Sequence, residues 1–182
     1  LRGALITLLM HGGGIRLSEA FHLWTRDVTD DPVDVLRATG AVPESMVLAD
    51  PREIRALVRI HHPQDGRYDW RNQNGETVVG SRAEYLTTVG WRPRNIVTGT
   101  LNAGWKNPTL DGTNYLQVWW SDPAYGILFL QLWRHYLRQL RSLAAPSHPW
   151  AFVNLQRNTL APYTMDAYQQ AHARAVERIG LR

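Results

Sequence analysis

The chain has 182 residues, of which 44% are hydrophobic and eight are tryptophan, enough for one domain with a packed core. The absence of cysteine excludes a disulfide scaffold and a cysteine zinc site, and it fits a reducing compartment. The net charge is +4, and among the twenty basic residues only Lys106 is a lysine. A GC-rich genome explains most of such an arginine bias. The same bias makes a retained lysine a sign that an ammonium group is needed at that position.

No apolar run approaches the roughly 20 residues that a membrane helix needs. The chain begins inside a helical pattern without the layout of a signal peptide, which indicates a piece of a longer protein. We therefore expect a cytoplasmic protein that has no contact with a membrane.

The first predicted elements are two helices separated by a glycine break. Leucines three and four residues apart, starting at Leu5, give the first helix one apolar face. The glycines at 12–14 end this helix, because glycine adopts the left-handed dihedral angles that a helix C-terminus favours. Ser18 is placed to cap the next helix, with Glu19 in its first turn. Arg16 is therefore held on a short connection between two packed helices, which suits an arginine that must be positioned accurately.

Residues 54–60 alternate in polarity and predict a strand, after a connecting stretch with a short helical turn near 33–37. The adjacent histidines His61 and His62 follow this strand. They do not predict a metal site, because adjacent strand residues face opposite sides and no third ligand has a suitable spacing.

Residues 67–101 are predicted to be an insertion or loop region. Their first part, 67–80, is polar and has no period, and a short helix capped by Ser81 follows it. Arg92 and Arg94 then surround a proline beside a tryptophan. Such a pair is either a clamp on a DNA backbone or a charged turn.

Lys106 lies in a tight turn and is followed by a predicted strand at 114–120. With 54–60 and a short strand before Lys106, this predicts a small antiparallel sheet of three strands, with Lys106 on or beside a sheet turn. Amphipathic patterns predict a long helix over 123–143 and a last helix over 164–179. The predicted fold class is α+β and mainly helical.

The stretch from Gly14 to Glu19, Gly-Ile-Arg-Leu-Ser-Glu, resembles the first catalytic-arginine box of the tyrosine recombinases, the phage integrase family. As in that family, the helix after the box ends in an acidic and an aliphatic residue, Asp27 and Val28. The later order also agrees: a small sheet with a lysine on a turn, a long helix, and a last helix ending in Gly-Leu. The resemblance covers most of residues 1–182 apart from 67–101. It implies a partial recombinase catalytic domain with the DNA breaking-rejoining fold.

The resemblance also implies an activity for the intact protein: DNA integration or site-specific recombination by a mobile element, through a phosphotyrosyl intermediate. Arg16 would hold the non-bridging phosphate oxygens, and Lys106 would protonate the leaving 5′-oxygen. Glu19 would support the box. The expected partners are double-stranded DNA and other recombinase protomers, with no cofactor and no metal. The protein would be associated with the nucleoid when bound to DNA. Further candidate DNA contacts are Arg92, Arg94 and Trp105.

The family's second box, His-x-Leu-Arg-His, and its nucleophilic tyrosine have no match in the sequence. Tyr163 and Tyr168 both precede the expected position of that box, so we expect this chain alone to be inactive. One alternative is a non-catalytic homologue that binds DNA or a partner recombinase. Another is a helical scaffold without a role on DNA.

Overall fold

The computed structural model describes residues 1–29, 31, 55–111, 114–155 and 160–181. The helical turn predicted near 33–37 lies outside these residues, and so does residue 54 at the start of a predicted strand. Within the described part of the chain, no helix is both long and apolar enough to span a membrane.

Helices form most of the regular structure, which confirms the predicted fold class. Two short 3₁₀ turns, Thr25–Asp27 and Gly99–Leu101, lie between the longer elements. The predicted helices over 81–89, 123–143 and 164–179 are confirmed with small changes at their ends. The helices are α1 (Arg2–His11), α2 (Leu17–Ala20), α3 (Arg82–Thr88), α4 (Pro123–Arg141) and α5 (Met165–Arg178).

The helix starts follow from their capping residues. The Ser81 hydroxyl accepts from the Glu84 backbone N–H at 3.2 Å and caps α3, as predicted. The prediction that Ser18 caps α2 is wrong, because α2 already begins at Leu17 and Ser18 lies inside it. Arg16 occupies the N-cap position, and the Glu19 carboxylate accepts from the Arg16 backbone N–H.

A three-stranded antiparallel sheet is present, as predicted. Its central strand is β2 (Leu57–His61), which pairs with β1 (Val28–Thr29) on one edge and with β5 (Tyr115–Gln117) on the other. The predicted short strand before Lys106 is wrong, because β1 occupies the edge of β2 that such a strand would need. The sheet therefore starts at Val28, directly after the Thr25–Asp27 turn.

A second, two-stranded sheet joins β3 (Arg67–Arg71) to β4 (Thr77–Ser81) as a hairpin. The prediction of a surface loop at 67–80 is wrong. The strand period is present over 67–71, where exposed charged residues alternate with the half-buried Tyr68 and Trp70, and it was overlooked in a stretch that is polar overall. Gly75, at φ +82°, makes the turn.

Two groups of buried side chains hold these elements together. The main core packs α1, α4 and α5 against the three-stranded sheet, with residues such as Leu5, Phe129 and Tyr136 fully buried. A smaller aromatic group surrounds Trp24 and Trp150 and includes side chains of α3 and of the hairpin. The predicted insertion at 67–101 is thus packed into the body of the protein.

Candidate functional site

Arg16 lies on the break between α1 and α2, where Gly14, at φ +67°, turns the chain. A side chain at Gly12 would collide with Tyr125, at 2.8 Å from its Cβ, so the break also lets the start of α4 approach closely. The backbone N–H of Ile15 donates to the Leu9 carbonyl at 3.1 Å and fixes the exit from α1. The position of Arg16 is therefore set by its neighbours on both sides.

Glu19 holds Arg16 twice. One carboxylate oxygen accepts from the Arg16 backbone N–H at 3.0 Å, and the other accepts from guanidinium Nη1 at 2.9 Å. The Glu19 side chain is only 3% exposed, whereas the Arg16 side chain is 58% exposed. A buried carboxylate thus orients a cation whose remaining N–H groups face solvent. The supporting role of Glu19 in a catalytic box stays a prediction.

Lys106 is exposed and lies in the irregular stretch 102–111, which follows the Gly99–Leu101 turn. The next residue, Asn107, has φ +43° and is followed by Pro108. A positive φ is uncommon outside glycine, although asparagine tolerates it better than most residues. Lys106 was predicted on or beside a sheet turn, and in the structure no strand of the sheet lies directly before it among the described residues.

Trp105 is half-buried and packs against the main core. Its ring meets two imidazoles almost perpendicularly: His22 at 5.4 Å and 82°, and His62 at 5.5 Å and 85° between centroids. His22 follows α2, so Trp105 connects the Lys106 segment to the stretch that begins at Arg16. The main contacts of this tryptophan are inside the protein, and its predicted contact with DNA stays a prediction.

Arg94 is the clearest disagreement with the sequence prediction. It is 1% exposed, and its guanidinium donates to the carbonyl oxygens of Leu101 at 2.9 Å, Phe21 at 3.3 Å and Tyr163 at 3.1 Å. Burial lowers its pKa to about 10, which still leaves it charged at neutral pH. The predicted contact between Arg94 and a DNA backbone is therefore wrong for this structure. Arg92 is exposed, and its contact with DNA stays a prediction.

The sequence reasoning missed a buried ion pair between Arg82 and Asp27. Both guanidinium amino groups donate to the carboxylate, Nη1 to Oδ2 at 3.1 Å and Nη2 to Oδ1. The guanidinium carbon also lies 4.1 Å from the centroid of the Trp24 ring. One signal was available in the sequence: a cation in the first turn of a helix opposes the helix dipole, which suggests another partner for Arg82.

His22 was also missed. It is 1% exposed, and among the described residues neither ring nitrogen makes a hydrogen bond of normal geometry, although the backbone of Ala103 and Gly104 approaches the ring. Burial first, and then the positive charge of Arg94, lower its pKa to about 3. His22 is therefore a neutral aromatic packing partner at neutral pH.

The two tyrosines near the end of the chain are packed by their hydroxyl ends as well as their rings. The Tyr163 hydroxyl donates to the Ala167 carbonyl at 3.1 Å, and burial raises its pKa. The Tyr168 hydroxyl lies 3.0 Å from the Thr7 hydroxyl. Both side chains are 5% exposed or less, so neither hydroxyl is presented for attack on a phosphodiester in this structure.

Across the described ranges, no group of three His, Cys, Asp or Glu residues is arranged to hold a metal ion. Comparisons of the chain with models of protein families, with curated proteins and with solved structures find no match. The fold is thus established only as a mainly helical α+β class. In the described residues Arg16 and Glu19 are in direct contact, and the grouping of Lys106 with them stays a prediction.

Proposed function

We propose that this chain is the part of a tyrosine-type site-specific recombinase, or integrase, that binds the phosphodiester to be cut. The observation that carries the proposal is the pose of Arg16. Its exposed guanidinium is oriented by a buried carboxylate on a fixed break between two helices.

The asymmetry of this ion pair separates it from an ordinary surface pair. A surface pair three residues apart on a helix exposes both partners and contributes little to stability. Here the carboxylate of Glu19 is buried and only the arginine is exposed. Nη1 of Arg16 donates to Glu19, and the arginine side chain is mostly exposed. A planar guanidinium has a geometry that matches two phosphate oxygens.

Lys106 is the proposed general acid. An ammonium group can donate a proton to the 5′-oxygen that leaves when a nucleophile attacks the phosphorus, while a guanidinium is a much poorer donor. The arginine-rich composition supports this assignment, because Lys106 is the one position where the chain keeps an ammonium.

In the proposed reaction, a tyrosine hydroxyl attacks the phosphorus and forms a 3′-phosphotyrosyl bond. The 5′-hydroxyl of another strand later displaces the tyrosine and rejoins the DNA. Arg16 stabilises the negative charge that builds on the non-bridging oxygens. We assign the nucleophile to another part of the intact protein, a view supported by the packed hydroxyls of Tyr163 and Tyr168.

The first experiment measures binding of a fluorescent duplex at several salt concentrations. We expect weak binding with little sequence preference, with an affinity that falls steeply as salt rises. Arg16→Ala should reduce the slope of log affinity against log salt by about 1, the value for one lost phosphate contact. Arg138→Ala removes the same charge from an exposed position on α4 and serves as the matched control. Binding that is absent at low salt, or independent of salt, would favour a scaffold without a role on DNA.

The second experiment uses the intact protein and a nicked suicide duplex, which traps a phosphotyrosyl adduct on a denaturing gel. We expect Arg16→Ala and Lys106→Ala each to suppress the adduct while the protein stays folded. Lys106→Arg should keep DNA binding and lose cleavage, because the charge is retained without a good proton donor. An intact wild-type protein that binds DNA and forms no adduct would identify a non-catalytic homologue.

A further inference from the structure

Among the residues that the structure describes, the segment around Lys106 has few backbone-to-backbone hydrogen bonds. The last backbone hydrogen bond before the lysine joins the Ala103 N–H to the Arg94 carbonyl at 3.0 Å. The next one after it joins the Asp111 N–H to the Tyr115 carbonyl at 3.1 Å. Side-chain contacts must therefore supply much of the order between these two points, beyond the approach of the Gly104 backbone to His22.

Trp105 is placed to order this segment. Its indole is held between His22, which follows α2, and His62, which follows β2, with near-perpendicular ring contacts on both. Both imidazoles are fixed in turn. His22 is buried beneath the segment, and His62 Nδ1 accepts from the Asp65 backbone N–H at 3.0 Å.

The residue after the lysine restricts the chain from the other side. Asn107 has φ +43°, although a residue that precedes a proline normally adopts an extended conformation. Such an unfavourable backbone conformation persists only where the surrounding structure imposes it. Lys106 is thus flanked by an anchored tryptophan and by a constrained asparagine, which fixes where its side chain leaves the backbone.

We infer that Trp105 is a positioning residue that fixes Lys106 relative to the Arg16 box through the His22–Trp105–His62 contact. The inference rests on the proposed function, because the proposed function makes Lys106 the general acid. It replaces direct DNA binding as the role of Trp105. In this arrangement the two catalytic charges keep their spacing because one rigid aromatic contact joins their two segments.

Trp91 provides a matched control for a tryptophan with only a structural role. It is also half-buried and also meets two rings almost perpendicularly, His148 at 5.9 Å and 88° and Trp150 at 5.4 Å and 87°. None of these three residues belongs to the candidate site. Any general effect of removing a packed indole should therefore show at Trp91 as well.

Anchoring is tested first on the chain itself, without DNA. An endoprotease specific for lysine has one target in this sequence, the Lys106–Asn107 bond, and cuts it only when the segment opens. We expect Trp105→Ala to raise the cleavage rate by about tenfold or more, well below the melting temperature, and Trp91→Ala to change it by less than about twofold. His62→Ala, which leaves the segment's own residues intact, should also accelerate cleavage. The inference would be overturned if Trp105→Ala and His62→Ala were both cleaved at the wild-type rate. It would also be overturned if Trp91→Ala accelerated cleavage as much as Trp105→Ala.

Positioning is tested next in the intact protein with the suicide duplex. Trp105→Ala should slow adduct formation at saturating DNA by about 100-fold while the dissociation constant for DNA changes little, as for a displaced catalytic group. Trp105→Phe keeps an aromatic ring and should restore most of the rate, and Trp91→Ala should leave the rate near the wild-type value.

Loss of DNA affinity without loss of rate would show that Trp105 contacts DNA directly, and would overturn the inference. A wild type that forms no adduct would refute the proposed function, and the catalytic part of the inference with it. Protease acceleration without any rate defect in an active protein would refute the positioning role alone.

Discussion

Arg16 and Arg94 were both predicted from sequence to contact phosphate, and the structure gives them opposite environments. Arg16 is mostly exposed and is held by one buried carboxylate. Arg94 is buried, and its guanidinium donates to three backbone carbonyls. One of those carbonyls belongs to Phe21, in the stretch that follows the Arg16 box. The comparison shows that an arginine can bind a ligand only where some of its guanidinium N–H groups have no acceptor within the protein.

Arg82 extends the comparison, because it too is buried and contacts the stretch that follows the Arg16 box. It pairs with Asp27 and also lies 3.5 Å from the His22 carbonyl. Two buried arginines, Arg82 and Arg94, therefore contact the chain between residues 16 and 27, whereas Arg16 within it is mostly exposed. We expect the buried two to set stability and the open one to set the interaction with DNA.

The largest effect should follow from breaking the Arg82–Asp27 pair. Arg82→Ala leaves the Asp27 carboxylate buried without its cation, which should lower the free energy of unfolding by about 3–5 kcal/mol. Chemical denaturation measures this. Arg67→Ala, at an exposed position on β3, should change stability by less than about 0.5 kcal/mol. Similar values for the two variants would contradict the structural role of Arg82.

Arg94→Met should come next, with a loss of about 2–4 kcal/mol, because carbonyls in the interior lose their donors while the apolar stem is kept. The folded fraction of this variant should bind duplex DNA with the same salt slope as the wild type. A reduced slope would show that Arg94 contacts phosphate after all, and would remove the distinction between Arg94 and Arg16.

The pH dependence of stability should report His22. Its pKa is about 3 in the folded protein and near 6.5 in the unfolded chain, so the unfolded state binds more protons between these values. The stability contributed by neutral His22 is complete above pH ~6.5 and is lost as the pH falls toward 3, by at most about 1.4 kcal/mol per pH unit.

His22→Phe removes the titrating group and keeps a ring beside Trp105. Denaturation of the two proteins at several pH values should show a shallower slope for the variant between pH ~3 and 6.5. Part of the slope should remain, because burial also lowers the pKa of His61, to about 4. An unchanged slope would mean that His22 is not buried as a neutral group.

Local sequence patterns predicted those parts of the fold that depend on neighbouring residues. The Ser81 cap of α3 and the start of α4 at Pro123 are set within a few residues, and both were predicted correctly. The α1–α2 break was located from its glycines. The Ser18 cap was misassigned because Glu19 reaches back to the Arg16 N–H, a choice between two adjacent polar side chains.

The errors about the sheet edge and about Arg94 concern contacts between residues far apart in the sequence. The edge of the sheet is taken by Val28 and Thr29, which pair with a strand about 30 residues later. The fate of Arg94 depends on the carbonyls of Phe21 and Tyr163, about 70 residues away on either side. No period or local motif encodes such pairings. A charged residue beside a proline therefore gives no information about whether its charge faces solvent or the core.

The smallest change in stability, and the sharpest test of the open arginine, should come from Glu19→Gln. The amide oxygen can still accept from the Arg16 N–H, so we expect a loss of only about 0.5–1.5 kcal/mol. The variant gains one unit of positive charge beside the proposed phosphate site. If Arg16 were an ordinary surface charge, binding of duplex DNA would become tighter, as electrostatics requires. If Glu19 orients the guanidinium for phosphate, adduct formation by the intact protein should fall even where binding is unchanged or tighter.

Glu84→Gln is the matched control. Glu84 holds the same position in α3 as Glu19 holds in α2, and the substitution removes the same charge. Equal behaviour of the two variants on DNA would show that the Arg16–Glu19 geometry has no role in catalysis.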